Sequence, residues 1–98
     1  MRESYIERQL VRGVQSKGGL CYKFVSPGNP GVPDRLVVTA EGRIIFVELK
    51  TKTGRLSPMQ EWQIGQLRKR GQDCQVLYGM EAVKVFLREV FPDGVQAP

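Results

Sequence analysis

Histidine is absent from this chain, and the absence removes a large part of enzyme chemistry at once. Ser-His-Asp nucleophile activation, imidazole acid/base catalysis and histidine-ligated zinc are all excluded. Cysteine is nearly as scarce. Cys21 and Cys74 are too few for a disulfide framework and too far apart for a CxxC metal motif. Both lie in apolar surroundings, where a structural thiol is the expectation. Long apolar runs are missing as well, since none approaches the roughly 20 residues needed to span a bilayer. The N-terminal residues, with Glu3, Glu7 and several arginines, do not resemble a secretion signal. A cytoplasmic protein with no membrane partner is the expectation.

What remains fits one small domain covering residues 1–98, with a breaker-rich and flexible tail expected over 92–98. Fifteen Lys and Arg against ten Asp and Glu give a net charge of +5, a balance that favours polyanionic partners. The excess is uneven. Between Lys50 and Arg70 the bases are Lys50, Lys52, Arg55, Arg68, Lys69 and Arg70, against the single acid Glu61. With Arg35, the last five of these bases are the candidate contacts to a nucleic-acid backbone. A solvated face that serves only solubility is the competing reading for Arg68-Lys69-Arg70.

The centre of the chain is Pro33 to Lys50. Two β-rich runs, Asp34-Arg35-Leu36-Val37-Val38-Thr39 and Ile44-Ile45-Phe46-Val47-Glu48-Leu49-Lys50, flank Ala40-Glu41-Gly42-Arg43 and read as a hairpin. Side chains alternate along a strand, so Glu48 and Lys50 share a face and Leu49 takes the other. A two-residue loop at Glu41-Gly42 would set Asp34 opposite Leu49. A three-residue loop, Ala40-Glu41-Gly42 with Gly42 left-handed in a G1 bulge, sets Asp34 opposite Glu48 instead. Glycine stands where the second loop needs it, so the bulged hairpin is predicted. Adjacent carboxylates repel unless a cation shares them. Hard oxygen ligands suit Mg²⁺ or Mn²⁺, and Lys50 on the same face can hold a water or offset charge on a phosphate. An exposed Glu48–Lys50 ion pair on a basic interaction protein is the plainer account.

Along the rest of the chain, Ser4-Tyr5-Ile6-Glu7 has the form of a capping box. It opens a helix to about Ser16 with Ile6, Leu10, Val11 and Val14 inward. Leu20 to Val25 reads as a strand and Ser26 to Pro33, rich in proline and glycine, as a loop. Ser57 caps a second helix with Pro58 at its first position, and Gln60 falls where a capping box places its partner. Trp62 reads as core or as a contact between copies. A strand over Cys74–Tyr78 and a helix from about Met80 to Phe91 complete an αβββαβα order.

Gly31-Val32-Pro33-Asp34, Val47-Glu48-Leu49-Lys50 and Leu56-Ser57-Pro58-Met59-Gln60 together resemble the active-site signature of the PD-(D/E)xK nucleases, and within them the VRR-NUC family. The likeness runs from about Glu3 to Phe91. It implies an α/β (α+β) restriction-endonuclease-like fold, a small mixed sheet flanked by helices. It also implies a metal-dependent endodeoxyribonuclease. On that resemblance Asp34 and Glu48 hold Mg²⁺ or Mn²⁺ with the backbone carbonyl of Leu49, while Lys50 and Gln60 serve the water or phosphate. Glu7 completes the cluster, toward a second metal or from its outer shell; for Glu7 and Gln60 alike, helix capping remains the rival role. Stand-alone, virus-type members imply a homodimer that resolves four-way Holliday junctions in DNA recombination and repair, in a bacterial or phage-infected cytoplasm. A flap or other branched-DNA nuclease, and a basic DNA-binding module without chemistry, are the alternatives.

Overall fold

Alternation along the strands sorts their side chains onto two faces, and the helices divide between those faces. In the computed structural model, which describes residues 1–92, the elements are α1 (Glu3–Ser16), β1 (Leu20–Lys23), β2 (Arg35–Val38), β3 (Ile44–Lys50), α2 (Pro58–Lys69), β4 (Cys74–Tyr78) and α3 (Gly79–Val90). They form one four-stranded sheet in the order β1-β2-β3-β4. The first two pairings are antiparallel and β3–β4 is parallel. A parallel neighbour requires a crossover, and α2 is that crossover. Of the tail expected over 92–98, residues 93–98 lie outside the described residues.

One face carries the core. Ile45, Val47 and Leu49 of β3 are fully buried and pack with Val37 and Cys21 from the neighbouring strands. The i, i+4, i+8 stripe of α1 (Ile6, Leu10, Val14) and Val83, Phe86 and Val90 of α3 close over them. Even-numbered positions of β3 point to the other face, where α2 lies with Ile64 as its buried residue. α2 touches the β4 side of that face. Farther along it, Leu20, Tyr22 and Ile44 stay 47%, 57% and 50% exposed.

The turn has the predicted three-residue form. Thr39 N–H donates to the Arg43 carbonyl at 2.8 Å, Gly42 N–H donates to the Thr39 carbonyl at 2.9 Å, and Gly42 has φ +94°. The ladder then pairs Val38 with Ile44 and Arg35 with Val47. One step further, Asp34 stands opposite Glu48.

The first helix departs from expectation at its start. Its N-cap is Arg2, without a side-chain cap, so Ser4 lies inside the helix and the Ser4–Glu7 capping box does not form. Starting earlier places Glu3 in the first turn, where a carboxylate meets the positive end of the helix dipole. It also releases the Glu7 carboxylate for a stronger, charge-assisted bond elsewhere.

Candidate active site

Glu48 is the most unusual side chain in the molecule. It is an acid, sits on an interior strand and is only 1% exposed. Its Oε2 accepts a hydrogen bond from Gln60 Nε2 at 3.1 Å and lies 3.8 Å from Lys50 Nζ. Its Oε1 is buried and, among the described residues, has no hydrogen-bond partner. The Asp34 carboxyl faces it closely enough that a proton on Glu48 would bridge the two. Burial, then the charge of Asp34, push the Glu48 carboxyl up to about 8, against an ordinary 4.5. Two acids facing each other around an orphaned buried oxygen call for either a proton or a cation.

The donor set fits a hard dication. Asp34 Oδ2 is held by the Leu49 N–H at 3.2 Å, which fixes the carboxylate beside the end of β3. Continuing the β2–β3 register from Arg35↔Val47 sets Pro33 opposite Leu49. Proline has no N–H to donate, so the ladder ends there and the Leu49 carbonyl is left without that partner. Two carboxylates and a carbonyl are an open shell. Among the described residues no three acidic, histidine or cysteine side chains gather closely enough to enclose an ion. Mg²⁺ and Mn²⁺ accept such a site because they readily keep waters and substrate oxygens.

Gln60 reconciles two readings that the sequence left open. Its Oε1 accepts from the Ser57 N–H at 2.9 Å and its own N–H donates to Ser57 Oγ at 3.1 Å, a complete capping box. The other end of the same amide donates to Glu48. Capping α2 and holding Glu48 are one conformation. Gly31 seats the preceding loop on this corner: at φ +89°, a Cβ there would lie 2.7 Å from the Met59 carbonyl carbon and 2.9 Å from Gln60 N. Gly31→Ala is therefore expected to destabilise the fold by about 2 kcal/mol, lowering the melting temperature by roughly 10 °C in a calorimetric scan.

The structure does not bring every expected residue to the site. Glu7 is turned to Arg35, which donates from Nε at 2.8 Å and reaches the Cys21 carbonyl at 3.4 Å. This corrects two expectations, because Glu7 is not with Asp34 and Glu48, and Arg35, at 17% side-chain exposure, is not free for a phosphate. The acid of α1 that bears on the cluster is Glu3, whose negative charge adds to the upward push on Glu48. A carboxylate four residues before Glu7 lies on the same helix face, and that spacing was the available signal. Arg68, Lys69 and Arg70 sit at the far end of α2, about 15 Å of helix from its capped start. Arg68 is taken up by the Cys74 carbonyl at 2.9 Å and Arg70 by Gln66 at 2.7 Å, which leaves Lys69. Lys52 and Arg55 are exposed in the linker that follows Lys50. Trp62 is 56% exposed, so it is not core.

A small mixed sheet with paired carboxylates and a lysine at the end of its central strand defines a nuclease-type α+β domain, and comparison with known proteins agrees. The VRR-NUC domain profile matches residues 20–81. A relative from Acyrthosiphon pisum secondary endosymbiont phage 1, named "Putative nuclease p44", is 47% identical over 77 residues, covering 79% of this chain and 83% of its own. A solved structure described as a VRR-NUC domain superposes with a TM-score of 0.83 at 29% identity, covering 88% of this chain and 94% of that one. A second, a VRR-NUC domain protein, has a TM-score of 0.71 at 16% identity, covers 99% and 92%, and shares the fold. The chain belongs to the VRR-NUC family of nuclease domains. Among the described residues no helix is long and apolar enough to cross a membrane.

Proposed function

We propose that this domain is a metal-dependent endonuclease that hydrolyses phosphodiester bonds in branched DNA. The observation that carries the reading is Glu48, buried, facing Asp34 and with one carboxylate oxygen unpartnered. Asp34, Glu48 and the Leu49 carbonyl would hold Mg²⁺ or Mn²⁺. Bound there, the ion supplies Lewis-acid activation of water and offsets charge on the phosphoryl group. Gln60 holds Glu48 through its amide and keeps the carboxylate turned into the site. Lys50, 15% exposed and on the same face, offers its ammonium to an attacking water or to a phosphate oxygen. Lys52 and Arg55 flank the approach of the backbone.

The test is cleavage of four-way, flap and plain duplex DNA with Mg²⁺, with Mn²⁺ and with chelator. Cleavage is expected only with the ions and preferentially at the branch; equal cutting in chelator sinks the reading. Symmetric cuts across a four-way junction need two sites, which a twofold homodimer supplies. Leu20, Val38 and Ile44 stand side by side across β1–β2–β3, next to the row of Tyr22, Leu36 and Phe46. Their exposure beside α2 supports such pairing. Tyr22→Glu with Ile44→Glu is expected to sediment as a monomer and to lose paired incision while keeping single nicks.

The α1 acids separate the roles further. Glu3→Gln is expected to slow cleavage about tenfold with little change in melting temperature. Glu7→Gln leaves Arg35 half-satisfied and costs about 1–3 kcal/mol of stability, with cleavage at saturating Mg²⁺ close to wild type. Parallel cleavage and melting measurements on the two variants decide.

A further inference from the structure

The basic residues near the chain's middle do not form one surface, but a dispersed set does. α1 turns Arg8 and Arg12 away from its buried stripe of Ile6, Leu10 and Val14, and both are exposed. α3 does the same with Lys84 and Arg88, away from Val83, Phe86 and Val90. Arg12 and Lys84 line one groove of about 370 Å³ between the two helices, with Gln9 and Ser16 beside them and Leu87 on its floor. The helices meet closely beneath it, since a Cβ on Gly13 would collide with the Leu87 side chain. The groove is a shallow trough with cations on both banks.

The acids of α3 are sorted away from it. Glu81 and Glu89 line a separate groove along β4, with Val85 and Arg43. Glu81 also touches Lys84 at 3.5 Å, an exposed pair of little strength. Like charges four apart on a helix repel and destabilise it. Arg8–Arg12 and Lys84–Arg88 impose that cost twice, on facing helices, and a bound polyanion removes it. Sequence order hid the set because its members lie in the first and last helices.

We propose that this α1–α3 face is a second site for a nucleic-acid backbone, taking the phosphates of a DNA arm that leaves the cleavage site. The proposal rests on the nuclease reading for the choice of polyanion. Met1 and Ile6, at the start of α1, line one groove with Thr51, Lys52 and Thr53, the residues that follow Lys50, so the helix starts beside the active-site end of β3. Its 14 residues run about 21 Å from there, the length of roughly six phosphates on one duplex strand. A strand passing the carboxylates can follow α1 to Arg8 and then Arg12, with Lys84 and Arg88 closing the opposite bank.

The test uses the full chain and a four-way junction with long arms, in chelator so that nothing is cut, with affinity measured by anisotropy across a salt series. Replacing Arg8, Arg12, Lys84 and Arg88 together by alanine is expected to weaken binding about 10- to 100-fold near 0.1 M salt and to flatten the log–log salt slope by about 2 to 4. Arg8→Lys with Arg12→Lys should keep the slope, because a phosphate is satisfied by a point charge. Single-turnover cleavage at saturating protein should match wild type, and melting temperature should not fall. An unchanged slope and affinity overturns the site. Anionic vesicles bound as tightly as DNA, and weakened equally by the substitutions, overturn its assignment to nucleic acid. If wild type cuts no DNA with any divalent ion yet the slope still flattens, the nuclease reading fails and this surface stands.

Discussion

Asp34→Ala is expected to abolish strand cleavage, lowering the single-turnover rate by about 10³-fold or more, while affinity for the same DNA changes by less than about tenfold. The separation follows from geometry. The Asp34 carboxylate faces Glu48 and accepts a hydrogen bond from the Leu49 N–H, whereas backbone phosphates are met by exposed bases farther out. Lys50→Ala should give a similar loss, since its ammonium is the only cation paired with Glu48 among the described residues. Lys50→Arg should not restore the rate, because a planar fork does not replace a compact ammonium in a confined site. Gel-based cleavage and anisotropy on the same preparations read both quantities. Cutting at wild-type rate by either alanine variant removes these residues from the chemistry.

Glu48→Gln is expected to be inactive and, without metal, more stable than wild type at pH 8. The folded protein holds the Glu48 proton up to about pH 8, whereas an unfolded glutamate releases it near 4.5. The stability associated with that proton is fully present below pH 4.5 and is lost as pH rises through 8. Glutamine is neutral throughout, and its amide can donate toward Asp34, so the variant should lack this decline. A gain of about 1 kcal/mol at pH 8 raises the melting temperature by about 4 °C or more. Adding Mn²⁺ should stabilise wild type at pH 8, by about 2.7 kcal/mol at a hundredfold excess over its dissociation constant, and leave Glu48→Gln unmoved. Parallel melting curves from pH 4 to 9, with and without Mn²⁺, check both statements. A wild-type curve that rises between pH 5 and 8 contradicts this account of the pair.

Much of this arrangement could be read from local rules. Gly42 selects the turn, the turn selects the register, and the register sets Asp34 against Glu48. Ser57, Pro58 and Gln60 announce the start of α2 by capping chemistry alone. Where the reading stopped short, the missing quantity was the orientation of one element relative to another. The phase of α1 on the sheet decides that Glu7 meets Arg35 and that Glu3 bears on Glu48, and no run within α1 encodes that phase. Arg35 was within reach, because strand alternation already puts it on the face opposite Asp34. The distance between the two ends of α2 was equally calculable, yet a count of bases along the sequence treats Lys50 and Arg70 as neighbours. Charge adjacent in sequence and charge adjacent in space differ most where a helix intervenes.

The three-residue turn also makes this domain unusually sensitive to small insertions and deletions. Losing or gaining one codon between Thr39 and Arg43 keeps the reading frame and the strand composition, yet it reverses the facing of β2 against β3. Asp34 would then look into the apolar layer beneath the sheet and Val37 out of it. Lineages that retain catalysis should therefore hold the length of this solvent-exposed loop as strictly as they hold the acids themselves, while its residues other than glycine drift freely.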